Sequence, residues 1–544
     1  MYECPNCGGN LKFDISSQKM FCAHCESRFD PYSLTKGEDA EEGGSFEANV
    51  FLCPQCGGEM ISGDNDITSF CSYCGAANIL SSRISREKRP RYIIPFMKTK
   101  EECKRAYEQK LRKSFFAPKE LKDPQFIEGF RGIYMPYWSY RVVQRGEIQL
   151  DGYTSERKGD YIYTNYYALK GELDAGYEGY AFDASSSFYD NISEGLAPYD
   201  AKKMKDFSPA FLSGFYADRA DVDAELYQQE ALKIADNATY EALCKDPVFE
   251  KHGIKLEHEG KNKTPERLLT VSDGEDSALF PVWFLCYRNG DRVAYAAVNG
   301  QTGKVVADMP VDEKKFFASS LILAIPIFIL LNLFLTLRPK MLLDGSALVA
   351  AVSSLIYYCE LGGIFRNETR QEDRAIQKMR EQEKNAEEQK TDKIEEAEKN
   401  EENEKKEKKK GKALTITIML IWLGIVFVVA GIRGGFFPAF AWLASAITVM
   451  VVSIMSLNRY SDMKKKKFTE IRGGKGCLFS LAAVLVSFSI RACQPVSDLW
   501  YYGGVLAILA TVVFVFTDLI RNYNKLTMRS LPQFEKKGGD DSAE

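Results

Sequence analysis

The pattern of apolar and polar positions divides the chain at one long uncharged stretch. Phe316–Leu337 holds no charged residue and is flanked by Lys315 and Arg338. About 20 apolar residues are enough for a helix to cross the roughly 30 Å hydrocarbon core of a bilayer. We therefore predict a first membrane span here, with a soluble module before it and a membrane half after it.

Five further apolar stretches follow, so the sequence predicts about six spans arranged as three hairpins. They cover approximately residues 342–364, 413–432, 435–457, 476–490 and 500–520. Lysine and arginine concentrate in alternate connectors, and this bias places those connectors and both termini in the cytoplasm. Ionisable residues lie near the span ends, which favours an anchoring bundle over a transport path through the membrane.

The soluble region 90–312 carries helix and strand signals in mixed order. Thr99 and Glu102 have the spacing of a capping box and predict a helix from residue 100. A second helix is predicted over residues 221–243 from its apolar periodicity. These helices alternate with strand signals, so we expect an α+β domain with an antiparallel sheet.

Strand signals dominate two parts of this domain. The Asn289-Gly290 pair predicts a tight hairpin between two β-strands, because both turn residues need a positive φ. The tyrosine alternation in residues 161–167 indicates half-buried strands. We expect these tyrosines to form sheet core, with a ligand-binding platform as the alternative.

The cysteines identify the candidate chemistry. Eight of the fourteen form CxxC pairs within the first 74 residues, in two sets with the spacing C-x2-C-x14-C-x2-C, 49 residues apart. Zn²⁺ takes four thiolates in a tetrahedron, and two CxxC turns supply them. We predict two structural zinc ions bound by Cys4, Cys7, Cys22 and Cys25, and by Cys53, Cys56, Cys71 and Cys74. Disulfides or a redox pair are the alternatives. Four thiolates leave no coordination position open for a catalytic water.

The charge of this region bears on its partner. Residues 1–80 hold four basic and twelve acidic side chains. A zinc ion with four thiolates adds about two further negative charges. A nucleic-acid binder needs a basic surface that displaces counterions from phosphates. We therefore expect a protein partner and no nucleic acid.

Several segments together resemble a known group of proteins. They are the twin CPxCGG ribbons, the segments Gly132–Trp138 (GIYMPYW) and Asn299–Lys304 (NGQTGK), and the C-terminal apolar spans. Through these segments, residues 1–340 of the chain resemble the double zinc-ribbon membrane proteins of Gram-positive bacteria, which are also called transcription-factor-IIB-type zinc-ribbon proteins. The resemblance implies a role near membrane-stress proteins of the phage-shock and flotillin-like kinds.

The predicted architecture is multidomain, with two N-terminal zinc ribbons, a cytosolic α+β domain and a C-terminal α-helical transmembrane bundle. The segments are ribbons at 1–36 and 50–80, the cytosolic domain at 90–312, a transmembrane hairpin at 316–364, a charged cytosolic connector at 365–412, two more hairpins at 413–520 and a cytosolic tail at 521–544.

We expect a non-enzymatic scaffold or adaptor that binds protein partners at the cytoplasmic face of the cell membrane, in an envelope-stress response. The sequence shows no pairing of a nucleophile with a base, and no open metal site. A membrane-tethered nucleic-acid-binding regulator is the first alternative. A transporter is the second.

Overall fold

The structure, a computed structural model, describes residues 2–34, 45–62, 71–76, 81–256, 270–290, 292–334, 338–371, 447–458, 461 and 475–530. Two cysteine clusters occupy its N-terminal part. A large sheet forms the middle, and apolar helices follow. The predicted order of cysteine clusters, sheet-rich domain and C-terminal helices is confirmed at this level.

The first cysteine set lies on a small antiparallel sheet. Its strands follow the order β1 (Leu11–Asp14), β2 (Lys19–Cys22) and β3 (Arg28–Phe29). Side chains alternate along β1, so that Leu11 and Phe13 are buried while Lys12 is exposed. This unit packs on the middle domain. The Phe13 N–H donates to the Ser213 carbonyl at 3.1 Å.

The second sheet has thirteen strands. They are β4 (Ser45–Leu52), β5 (Glu59–Ser62), β6 (Ser81–Lys88), β7 (Tyr92–Ile93), β8 (Arg131–Lys158), β9 (Tyr161–Asp183), β10 (Lys205–Asp206), β11 (Tyr216–Ala217), β12 (Lys255–Leu256), β13 (Thr270–Asn289), β14 (Arg292–Asn299), β15 (Val305–Ala307) and β16 (Arg529–Ser530).

The main path through this sheet runs β10-β7-β13-β8-β11-β5-β4-β6. The two-residue strand β11 joins its halves, because it pairs with β5 on one side and with β8 on the other. The strands that carry the second cysteine set therefore continue the sheet of the middle domain.

The predicted hairpin between β13 and β14 is confirmed, since the strands pair from Val282↔Asn299 to Asn289↔Arg292. Its turn begins one residue later than predicted, because Asn289 still pairs with Arg292 and, of the Asn289-Gly290 pair, Gly290 alone has a positive φ. The expectation that the tyrosines of residues 161–167 form sheet core is wrong. Tyr161 and Tyr166, for example, are 73% and 68% exposed. They lie on the β8–β9 hairpin, which extends beyond the point where β13 stops pairing with β8, at Gln144.

Five helices accompany the large sheet. They are α1 (Lys100–Lys113), α2 (Pro124–Ile127), α3 (Asp190–Leu196), α4 (Glu225–Cys244) and α5 (Pro247–His252). The predicted capping box of α1 is present, because Thr99 and Glu102 each bond the other's backbone N–H. Helix α4 begins later than predicted. The Asp221 carboxylate accepts the Ser186 N–H at 2.8 Å, and this bond holds Asp221 in a loop.

An aromatic centre joins the small sheet to the large one. Phe96 is fully buried, with its ring centroid 4.4 Å from Phe215, 4.9 Å from Tyr134 and 5.1 Å from Trp283. These rings and the buried face of β1 belong to one hydrophobic cluster. Aromatic pairs add roughly 0.5–1.5 kcal/mol each to the free energy gained by burying their area.

The C-terminal part is helical. Its described helices are α6 (Glu313–Phe334), α7 (Pro339–Gln371), α8 (Ile447–Asn458), α9 (Lys475–Cys493) and α10 (Leu499–Thr527). Within α7 and α10, Pro339–Gly363 and Leu499–Lys525 are long and apolar enough to cross a membrane.

The described residues therefore contain two candidate spans, not the predicted six. The described apolar parts of α8 and α9, Ile447–Asn458 and Phe479–Cys493, are shorter than a span, and residues 435–446 of the predicted span 435–457 lie outside the described residues. The predicted span at 413–432, like the charged connector from residue 372 onward, lies outside the described residues. The first predicted span is helical in α6 as far as Phe334.

Candidate metal centres

Each CxxC pair forms a tight backbone loop in which an N–H returns to the carbonyl of the first cysteine. Gly8 donates to Cys4 at 2.8 Å, and the corresponding bonds in the other three loops measure 2.9–3.0 Å. The donor has a positive φ in every loop: Gly8, Glu26, Gly57 and Gly75. Glycine adopts this conformation without strain in three of the loops, whereas Glu26 adopts it as a non-glycine residue.

The first cluster brings its four thiols together across the small sheet. Cys4 Sγ lies 3.4 Å from Cys25 Sγ, and Cys7 Sγ lies 3.5 Å from Cys22 Sγ. All four sulfur atoms lie within 4.8 Å of one another. A zinc ion with Zn–S bonds of about 2.3 Å needs sulfur–sulfur separations of about 3.8 Å. The cluster therefore fits a tetrahedral metal ion after small shifts of the side chains.

The second cluster matches this geometry more closely. Cys53 Sγ lies 3.7 Å from Cys74 Sγ, and Cys56 Sγ lies 3.8 Å from Cys71 Sγ. A disulfide would need a sulfur–sulfur distance of about 2.0 Å. These eight cysteines are unbridged. The arrangement thus favours the metal-binding interpretation over the disulfide alternative.

The two clusters differ in their exposure. Cys7 is exposed and Cys25 is half-buried, and the loop residues around them also face solvent. All four cysteines of the second cluster are buried. The first cluster therefore presents its loops to other molecules, whereas the second lies inside the protein.

In each cluster the pKa of at least one thiol is lowered, while the pKa values of Cys7, Cys56 and Cys71 are raised, and the thiolate is the form that binds metal. The Ser27 hydroxyl, 3.2 Å from Cys25 Sγ, lowers the pKa of that thiol to about 6. In the second cluster, the hydrogen bond with Cys56 lowers the pKa of Cys74 to about 2. Each cluster therefore holds at least one thiol that is readily deprotonated.

Residues far along the chain support the second cluster, and the sequence analysis missed them. The Tyr73 carbonyl accepts a hydrogen bond from the Tyr295 hydroxyl at 2.8 Å and from the Cys286 thiol at 3.3 Å. Arg288 donates to the Gln55 side chain at 3.0 Å. Strands β13 and β14 thus hold both cysteine loops. No spacing in the sequence indicates these contacts, which span more than 200 residues.

A buried ion-pair group also fixes the strands of the second cluster. Arg219 follows β11 and lies 3.0 Å from Glu59 of β5 and 2.9 Å from Glu87 of β6. The two carboxylate side chains are only 5% and 7% exposed. A buried carboxylate without a partner would be strongly destabilising, so Arg219 is needed for β5 and β6 to pack where they do.

Side chains near the first cluster attach it to the middle domain by hydrogen bonds to backbone carbonyls. The Gln18 amide donates to the Phe96 carbonyl at 2.7 Å, and the Tyr32 hydroxyl donates to the Asp206 carbonyl at 2.8 Å. His24 lies in the second loop of this cluster and is exposed, outside the four thiols. The small sheet is therefore docked on the middle domain with its cysteine loops facing outward.

The fold and its two tetracysteine groups define a multidomain protein with two candidate metal centres and two candidate membrane-spanning helices. No model of a known protein family matches the chain. No solved structure matches it.

A relative of the chain is found in Bacillus subtilis (strain 168). The chain is 32% identical over 330 residues to the uncharacterized protein YdjG of Bacillus subtilis (strain 168), an alignment that covers 58% of this chain and 92% of YdjG. The chain belongs to the same family as YdjG. The resemblance to zinc-ribbon proteins itself rests on the two cysteine clusters.

Proposed function

We propose that this protein is a membrane-anchored adaptor that presents a zinc-stabilised surface to a protein partner at the cytoplasmic face of the membrane. The difference between the two clusters supports this function. The buried second cluster is part of the sheet, whereas the first exposes its loops. We assign a purely structural role to the second and a partner-binding role to the surface around the first.

Zinc is the metal we propose for both clusters. Thiolate-only sites select soft or borderline metals, and a tetrahedral S4 site is typical of zinc or of iron–sulfur centres. Zinc, when bound, would hold the four thiolates of each cluster together and contribute folding free energy. The residues around each cluster keep the CxxC loops in their conformation through the backbone hydrogen bonds already described.

The membrane anchor is proposed to be multi-pass, with both termini in the cytoplasm. The two long apolar helices support membrane association. The short strand β16, which follows α10, pairs with β14 of the middle domain. This pairing supports a topology in which the sheet and the residues after the last span lie on the same side of the membrane. The lysine and arginine bias of the connectors favours the same topology.

The surface around the first cluster indicates the chemistry of the partner. Exposed Glu3, Glu26 and Asp30 lie close to its cysteines in the sequence, and the exposed Arg28 lies 5.5 Å from the Phe21 ring. In residues 2–34 the exposed basic residues Lys12, Lys19 and Arg28 match these acidic ones in number, and a zinc ion with four thiolates would add about two negative charges, which repel phosphates and favour a partner with basic side chains. By the resemblance stated above, a membrane-stress protein is the class of partner we propose.

A site-specific crosslink in native membranes tests this function. A photo-crosslinking amino acid at His24 is expected to yield a discrete protein adduct, and the same group at Val248, exposed on α5, is expected to yield none. The double substitution Glu3→Lys with Glu26→Lys should abolish the adduct while the metal content stays unchanged. Binding of the protein to DNA at physiological salt, with no protein adduct at His24, would support the nucleic-acid regulator instead.

A further inference from the structure

The hairpin of β8 and β9 is the longest feature of the middle domain. β8 has 28 residues, which at about 3.3 Å per residue reach roughly 90 Å. β13 pairs with β8 only as far as Gln144, and β12 pairs with it at Gly152 and Tyr153. Residues 154–168, which we name the arm tip, pair only within the β8–β9 hairpin in the described part of the chain.

The arm tip exposes large apolar side chains on both faces. Their exposed fractions range from 42% to 73%, and they are Tyr161, Ile162, Tyr163, Tyr166 and Tyr167. From Tyr161 to Leu169 the strand has no charged residue and no proline. Natural edge strands usually carry such residues, which prevent pairing with another chain. The outer edge of β9 therefore has the properties of a strand that pairs with a further strand.

The sequence of β9 is complementary to itself in antiparallel pairing. If two copies pair about a two-fold axis at Asn165, Tyr163 lies opposite the partner's Tyr167. In the same register Asp160, in the turn just before β9, lies level with the partner's Lys170, and each pair occurs twice. Aromatic pairs and pairs of opposite charge both stabilise neighbouring antiparallel strands. The intervening segment is uncharged, so no like charges oppose each other.

The position of the arm argues against lipid as the occupant. The opposite end of the sheet, at Arg292 of β14, pairs with β16 directly after the apolar helix α10. β8 begins beside that end, opposite Phe284, and extends away from it to the arm tip. The tip is thus directed away from the helix that would enter the membrane. We infer that the arm tip is a homodimerisation site, in which β9 pairs with β9 of a second copy of this chain.

The pairing would join two hairpins into one four-stranded sheet. Isolated two-stranded hairpins are marginally stable, and additional strands stabilise them. Anchoring in one membrane would also raise the effective concentration of two copies for each other. This inference concerns a surface remote from the cysteine clusters and does not depend on the proposed adaptor function.

Disulfide trapping in the full-length protein, in native membranes, tests the register. Paired residues at the two-fold axis have Cα atoms about 4.5–5.5 Å apart, which is within disulfide range. Asn165→Cys is therefore expected to give a covalent dimer under mild oxidation. The matched control is Ser155→Cys, exposed on β8 and at least about 14 Å from its counterpart, three strand spacings away. The unsubstituted chain measures the background from native cysteines.

Charge substitutions provide a second, independent test. Tyr163→Lys with Tyr167→Lys places like charges opposite each other and should abolish the Asn165→Cys dimer, with metal content and melting temperature unchanged. A copy with glutamate at both positions should restore dimers when it is coexpressed with the lysine copy. Equal crosslinking of Asn165→Cys and Ser155→Cys, a monomeric mass in detergent and in membranes, or dimers insensitive to the lysines would overturn the inference.

Discussion

The Asn299–Lys304 segment is suited to a quantitative test, because its role can be worked out from its hydrogen bonds. Asn299 is fully buried. Its side-chain oxygen accepts the N–H groups of Gln301 at 2.8 Å and Thr302 at 2.9 Å, and its amide donates to the Leu196 carbonyl at 3.0 Å. The side chain therefore holds the turn closed and attaches it to the end of α3. The segment is a structural element in this protein, in agreement with its lack of a phosphate-loop pattern.

We predict that Asn299→Ala is strongly destabilising. It leaves the buried Gln301 N–H and Leu196 carbonyl without their partner, whereas the Thr302 N–H can turn to solvent because Thr302 is exposed. Each of the two buried groups left unsatisfied costs about 1–3 kcal/mol, so the free energy of unfolding should fall by about 2–6 kcal/mol. For a domain of this size about 1 kcal/mol lowers Tm by roughly 2–4 °C, which gives a fall of roughly 4–24 °C.

The assay is thermal unfolding of the detergent-solubilised protein, followed by tryptophan fluorescence. Trp283 is a suitable reporter because it lies in the aromatic centre and its indole donates to the Lys98 carbonyl at 2.8 Å. Thr302→Ala is the matched control, since that side chain is exposed in the same turn, and its Tm should change by less than 2 °C, within the small effect of surface substitutions. An Asn299→Ala protein as stable as this control would refute the reasoning.

Four further predictions follow from the cysteine clusters and the helices. Metal analysis should find two zinc ions per chain and one in Cys22→Ser; iron or no metal would contradict the zinc assignment. A chelator should remove one zinc quickly from the native protein and the other only on unfolding, because one cluster is exposed; equal rates would contradict this. Glu26→Gly should raise Tm and Gly8→Ala should lower it, since the left-handed conformation costs a non-glycine residue about 1 kcal/mol. A fall in Tm for Glu26→Gly together with a rise for Gly8→Ala would contradict this. An impermeant thiol reagent should label Cys493 but not Cys477 on intact cells; labelling of Cys477 would reverse the proposed orientation.

Local signals predicted local structure well. The capping box at Thr99 and the hairpin that turns at Gly290 are present because a few adjacent residues determine each of them. The cysteine clusters could also be predicted, since the duplicated spacing brings the four thiols of each set together. In each case the hydrogen bonds or the positive φ values that stabilise the element lie within a short segment.

Features that depend on distant contacts could not be predicted. Tyr216–Ala217 is a strand of two residues that acquires its role only by lying between β5 and β8. Support of the second cluster by Tyr295 and Cys286 depends on the fold of the whole sheet. The tyrosines of the arm tip alternate as core residues do, but their side chains are exposed on both faces of the described hairpin.

The pairing of β16 with β14 imposes a parity rule on the membrane topology. Two strands that share backbone hydrogen bonds must lie on the same side of a bilayer, so the chain between them can cross it only an even number of times. If only α7 and α10 cross the bilayer, the count is two and the rule is satisfied. If α6 crosses as well, the rule requires an odd number of further crossings between Gln371 and Leu499. Any insertion or deletion that changed the count by one would have to break the β14–β16 pair.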